Sequence, residues 1–192
     1  MGGGKLIVIT GPMFAGKTTR LLREMQKASK NRKAILFKSG IDNRGGDSYI
    51  MTHDGTRMPA TVLPDGERCI ATLKEISKNY DVIGIDEGQF WKASPGFSRA
   101  LDELASGSKL VFVALLNLRA DGKPFDVSME LMPLADRIYL LQARCSKCGK
   151  RASFTQRVMN GRETFGDEFV IGGSECYEAR CRRHFVKVGN EK

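Results

Sequence analysis

The segment Gly11-Pro12-Met13-Phe14-Ala15-Gly16-Lys17-Thr18 constrains this chain more than any other. It fits the pattern G-x-x-x-x-G-K-[ST], a loop whose backbone N–H groups cradle a phosphate chain. The apolar run Leu6–Thr10 precedes it and reads as a buried strand. A helical pattern follows, with Leu21, Leu22 and Met25 at helix spacing. That strand–loop–helix order is the context the motif requires. The helix start adds the positive end of its dipole to the cradle. Lys17 is placed to reach β- and γ-phosphates, and the Thr18 hydroxyl to ligate Mg²⁺.

Further strand-like runs are Ala34–Lys38, Val82–Asp86, Leu110–Leu116 and Ile138–Leu141, with helix-like patterns at Thr18–Ser29, Glu67–Asn79 and Phe97–Ser106. Alternating strands and helices predict an α/β fold, a parallel sheet with helices on its faces. The stretch Ser39–Gly55 is rich in Gly, Asp and Asn and reads as a long loop. After Gln142 the texture changes to cysteines, basic residues and glycines. A nucleotide-binding domain over residues 1–142 and a small second domain over 143–192 are therefore expected. The 31 Lys and Arg against 22 Asp and Glu give a net charge of +9, which suits anionic ligands. No secretory or membrane-spanning pattern is present, so a cytoplasmic, reducing location is expected. In that setting the cysteines read as thiols or metal ligands.

Asp81-Val82-Ile83-Gly84-Ile85-Asp86-Glu87 reads as an apolar strand ending in two carboxylates. An Asp at such a strand end holds Mg²⁺ beside a phosphate loop, and Asp86 is the candidate. Adjacent carboxylates on an extended backbone point opposite ways. Glu87 is then free to act as a base toward the attacking group. Cys145-Ser-Lys-Cys148 and Cys181-Arg-Arg-His184 are two knuckles able to supply four ligands to a structural Zn²⁺. Cys176 is a rival fourth ligand; His184 is favoured because its spacing mirrors the first knuckle. Cys69 reads as a small buried apolar residue, and His53 as a structural loop residue.

The phosphate loop, Ile83-Gly-Ile-Asp-Glu-Gly-Gln-Phe90 and the two knuckles, in this order, resemble the type II thymidine kinases of animals, many bacteria and poxviruses. The resemblance runs from about Lys5 to Phe185. Asp42-Asn43-Arg44 resembles the family's D-x-R, Thr52-His53-Asp54 its T-H-D, Lys123-Pro124-Phe125 its K-P-F, and Ile171-Gly172-Gly173 with Tyr177 its I-G-G…Y. It implies a phosphate-loop, RecA-like sheet and a zinc domain carrying a lasso loop that closes over the nucleoside. It also implies transfer of the ATP γ-phosphate to the 5′-hydroxyl of thymidine with Mg²⁺, and a homotetramer. No membrane or nucleic-acid partner is expected. Asp42 and Arg44 fall near the phosphates by this resemblance. Met13, Leu116 and Thr155 fall at the thymine-methyl pocket, and Phe90 and Phe125 around the nucleoside. Val170, Ile171, Gly172, Gly173 and Tyr177 fall in the substrate loop. Asn117–Asp121 departs from the family: Ala120 replaces a usual aromatic and Asn117 an acidic residue. The rival class is a nucleic-acid-dependent ATPase with a zinc-ribbon module, in which Glu87 activates water.

Overall fold

In the computed structural model, residues 3–41, 49–52, 55–165 and 172–187 are described, without the side chains of Lys92 and Ala93. The strands are β1 Lys5–Gly11, β2 Ala34–Ser39, β3 Tyr49–Met51, β4 Arg57–Pro59, β5 Thr61–Leu63, β6 Val82–Ile85, β7 Leu110–Leu116 and β8 Arg137–Leu140. They are followed by β9 Ala143–Arg144, β10 Arg151–Ala152, β11 Phe154–Met159, β12 Arg162–Glu163 and β13 Tyr177–Arg180. The helices are α1 Lys17–Ala28, α2 Arg68–Ser77, α3 Phe97–Ser106 and α4 Asp126–Leu134, and a 3₁₀ turn spans Gly88–Ala93.

Six strands form one parallel sheet in the order β5-β2-β6-β7-β1-β8. Side chains alternate across each strand. Leu6 and Val8 of β1 enter a core with residues of α2, α3 and α4, while Ile7 and Ile9 enter another with Leu21, Leu22 and Met25 of α1. Burial on both faces explains why these strands read as continuous apolar runs. The five expected strands and three expected helices are present, with ends shifted by a residue or two. β5 escaped the reading because it has only three residues, bounded by Ala60 and Pro64. α4 escaped because Pro133 lies inside it and Met129 and Leu134 are exposed, which blurs its apolar stripe. The stretch read as one long loop contains β3, which pairs antiparallel with β4 and buries Ile50. Among the described residues no helix is long and apolar enough to cross a membrane.

Beyond Gln142 the secondary structure is short and antiparallel: β9 pairs with β10, and β11 lies between β12 and β13. Ala143, Cys145, Ala152 and Ala179 make a small core there. So few apolar groups stabilise little, and polar ties supplement them. Arg180 is 2% exposed. Its guanidinium meets Glu163 at 3.1 Å and Glu178 at 2.6 Å, and donates to the His184 carbonyl at 3.3 Å. One buried fork thus joins β12, β13 and the second knuckle, a geometry that lysine cannot reproduce. Its own backbone N–H and then Arg180 hold Glu163 below the usual carboxylate range. The Ser146 hydroxyl and then Arg180 do the same for Glu178.

Because both carboxylates titrate lower when folded, their contribution is complete above their ordinary pKa near 4.5 and is lost as pH falls through the folded values. Arg180→Met should therefore cost about 1–3 kcal/mol at neutral pH, the carboxylates being partly solvated. The difference from wild type should shrink as the medium is acidified below that ordinary value. Denaturant unfolding across pH checks this, and a difference that is constant with pH would count against the fork.

Candidate active site

β7 lies between β1 and β6 in the sheet. The carboxyl ends of these three strands, where ligands bind in open parallel sheets, therefore stand side by side. β1 ends at Gly11, Pro12–Gly16 turn, and α1 begins at Lys17. Gly16 is the N-cap of α1, with φ 77° and ψ 28°. That left-handed conformation costs glycine little. Phe14 is also left-handed, at φ 64°, where a side chain costs about 1–2 kcal/mol. These turns fold the loop into a concavity at the positive end of α1. Lys17 reaches back across it and donates to the Pro12 carbonyl at 2.8 Å.

The Thr18 hydroxyl lies 3.2 and 3.1 Å from the two carboxylate oxygens of Asp86, which is 3% exposed. β6 stops at Ile85, so Asp86 and Glu87 do not share an extended backbone. Glu87 is left-handed, at φ 54° and ψ 44°. The two carboxylates do take different partners, but a left-handed turn at Glu87 accompanies this, in place of the strand pleat expected from sequence. Gln89, 2% exposed, donates from Nε2 to Glu87 Oε2 at 2.6 Å and accepts the Leu116 N–H on Oε1 at 3.0 Å. Ser128 donates to the Leu116 carbonyl at 2.5 Å. Leu116 is thus held at both backbone groups by buried side chains. Neither Gln89 nor Ser128 was assigned a role from sequence.

The structure brings Met13, Leu116 and Thr155 to one corner. The Met13 N–H donates to Thr155 Oγ1 at 3.0 Å, and Leu116 pairs with Gly11 in the sheet. Thr155 and Leu116 are buried. Phe90 follows Glu87 in the 3₁₀ turn, its N–H on the Glu87 carbonyl. Phe125 caps the start of α4. Tyr177 is buried on β13, and its N–H and that of Cys176 both reach the Gly173 carbonyl, so Gly173 closes a turn at the base of the loop. Gly172 lies beside it, its added Cβ position 3.0 Å from Cys176 Sγ. Asp42, Asn43, Arg44, His53, Asp54, Val170 and Ile171 lie outside the described residues.

The atypical segment after β7 is a closed hairpin. Leu118 bridges Pro124, Arg119 N–H donates to the Lys123 carbonyl at 2.8 Å, and Gly122 N–H to the Arg119 carbonyl at 3.0 Å. Gly122 sits at φ +85°. Phe125 N–H returns to the Asn117 carbonyl at 3.3 Å, which places Phe125 at the hairpin's foot.

The two knuckles make the same turn. Cys148 and Gly149 N–H groups point to the Cys145 carbonyl, and His184 and Phe185 N–H groups to the Cys181 carbonyl. The ligand atoms of Cys145, Cys148, Cys181 and His184 all lie within 4.8 Å of one another, a group able to hold a metal ion. Cys176 is not part of it. Burial raises the Cys145 pKa, but the backbone N–H groups of Cys181 and Lys147, the His184 ring and the Cys148 N–H bring it down to about 6. A thiol so poised is deprotonated readily for a metal. Cys69 is fully buried, and burial raises its pKa, as for an inert core thiol.

Comparison with known proteins finds similarity along nearly the whole chain. A family profile described as "Thymidine kinase" matches residues 4–185. A thymidine kinase of Thermococcus kodakarensis is 46% identical over 189 residues, 96% of this chain and 95% of that one. One of Pyrobaculum aerophilum is 41% identical, covering 94% and 98%, and one of vaccinia virus is 36% identical, covering 97% and 99%. Identity of this order, sustained from the phosphate loop through the second knuckle, means that the chain belongs to the thymidine kinase family.

Proposed function

We propose that this chain transfers the γ-phosphate of ATP to the 5′-hydroxyl of thymidine, and of deoxyuridine, giving the 5′-monophosphate. One observation carries the reading. Asp86 reaches into the phosphate loop through Thr18, while Glu87, next in sequence, is tied through Gln89 to the end of β7. The phosphate concavity and the corner of Met13, Leu116 and Thr155 therefore share a border lined by carboxylates.

The chemistry follows from that border. In the Gly11–Gly16 loop, where Pro12 has no N–H and that of Met13 donates to Thr155, the Phe14–Gly16 amides and Lys17 hold the phosphate oxygens, with Asp42 and Arg44 assigned beside them by family resemblance. The juxtaposed Thr18 hydroxyl and Asp86 carboxylate are a donor set suited to Mg²⁺. Bound there, Mg²⁺ neutralises charge on the β- and γ-phosphates. Glu87 takes the 5′-hydroxyl proton as that oxygen bonds to the γ-phosphorus and the bond from phosphorus to the β,γ-bridging oxygen breaks, releasing ADP. Gln89 orients the Glu87 carboxylate. Phe90 and Phe125 flank the nucleoside, and Val170–Gly173 with Tyr177 close over the base and exclude water.

The cysteine–histidine group fits structural zinc. Zinc–sulfur bonds of about 2.3 Å and zinc–nitrogen bonds of roughly 2.0–2.1 Å give tetrahedron edges of about 3.8 Å for S···S and about 3.6 Å for S···N. The chain shows 3.8 Å between Cys148 and Cys181 sulfurs, and 3.6 and 3.5 Å from His184 Nδ1 to the Cys145 and Cys181 sulfurs. We extend the reading to a homo-oligomer, with a tetramer expected. β8 is an edge strand of the sheet, and its Ile138 and Leu140 are exposed, the kind of edge that self-association covers.

Incubation with ATP and labelled thymidine, with and without single-stranded DNA, tests the reading. Labelled monophosphate should form at a rate indifferent to DNA; DNA-stimulated ATP hydrolysis without it would support the ATPase alternative. Deoxycytidine should be a poor substrate, because its inverted donor and acceptor leave buried groups unpaired at about 1–3 kcal/mol each. Glu87→Gln should lower kcat by about 10²-fold or more with little change in KM. If most turnover survives, Glu87 positions the sugar and the proton leaves by another route. Metal analysis should find about one zinc per chain. Cys148→Ser should lose it and loosen residues 143–187 while ATP still binds, whereas Cys176→Ser should keep it.

A further inference from the structure

Phe185 follows the metal-site histidine directly, and its N–H completes the second knuckle by donating to the Cys181 carbonyl at 2.9 Å. Its ring stacks on Phe154 with centroids 4.6 Å apart and planes 14° from parallel. Its edge lies against Gly122: a Cβ there would stand 3.2 Å from Phe185 Cε1 and 3.4 Å from Cζ. The Arg182 guanidinium lies 4.9 Å from the Phe154 ring centre, adding a cation–π contact. The next residue, Val186, donates its N–H to Oε1 of the fully buried Gln156 at 2.8 Å.

These contacts sit on one side of β11. Phe154 and Gln156 share a face of that strand, and Thr155 between them points to the other, where it accepts the Met13 N–H. The hairpin Asn117–Phe125 is anchored at its root by Leu116, which Gln89 and Ser128 hold. Between Asn117 and Pro124 it carries no aromatic side chain of its own. The ring against its tip is supplied by Phe185, sixty-odd residues later in sequence and fixed by the knuckle turn.

We propose that Phe185 is a positioning residue that transmits the geometry of the cysteine–histidine cluster to the hairpin, and so fixes the nucleoside wall that ends in Phe125. The role of that wall rests on the proposed thymidine kinase reading; the bracing itself does not. Without the ring, the hairpin keeps its own hydrogen bonds but loses the contact that sets its tilt. The expected signature is loss of nucleoside affinity with nucleotide affinity intact.

The test compares Phe185→Ala, Phe185→Leu and Phe185→Tyr in the full chain by bound-metal content, amide hydrogen exchange at residues 118–125, and separate KM values for thymidine and ATP. Phe185→Ala should retain its metal and exchange about tenfold faster across the hairpin. Its thymidine KM should rise about tenfold, with the ATP KM within about twofold. Phe185→Tyr should restore wild-type values. If Phe185→Ala loses metal or fails to fold, Phe185→Leu carries the comparison. Unchanged hairpin exchange in a metal-loaded variant, or equal rises in both KM values, would overturn the bracing role. Faster exchange in a protein that phosphorylates no thymidine would support the bracing and overturn the substrate reading instead.

Discussion

The contact between the Thr18 hydroxyl and the Asp86 carboxylate joins residues 68 positions apart. It exists only because the sheet order puts β7, and nothing else, between the strands that deliver them. A parallel sheet with helices on both faces turns sequence order into spatial neighbourhood at one rim. The phosphate loop, the carboxylate pair and the end of β7 all stand on that rim. Moving β6 by one place in the sheet would leave each motif intact and the site dispersed.

What sequence discloses about such a site depends on how local the cause is. The phosphate loop is legible because its glycines set its turn locally and its lysine and threonine follow within the same short stretch of chain. The long strands are legible because two-sided burial demands unbroken apolar runs, as in Leu110–Leu116. The two knuckles are legible because each turn is closed by its own hydrogen bonds. β5 and α4 are not legible, being shaped by the surface they settle on. Glu87 shows the intermediate case: its neighbour's role was read from residue type, but its left-handed backbone depends on how the 3₁₀ turn leaves the sheet. Gln89 was visible as a letter in a motif, yet its link to Leu116 needs the fold.

The segment where the chain departs from its family is similarly instructive. Ala120 and Asn117 stand where the resembled pattern has an aromatic and an acidic residue. The backbone there closes a compact hairpin, with a ring from the far end of the chain against its tip. The small module thereby meets the loops at the sheet's carboxyl rim from two directions, through Thr155 on one face of β11 and through Phe185 stacked on the other.

The carbonyl that Lys17 grips and the N–H that Thr155 receives, those of Pro12 and Met13, belong to the same peptide unit. That unit is planar and resists twisting, so its two ends move as one plate. The Lys17 ammonium from the start of α1 holds one edge, and the Thr155 hydroxyl from β11 holds the other. The loop and the small module are thus tied through opposite edges of a single rigid amide.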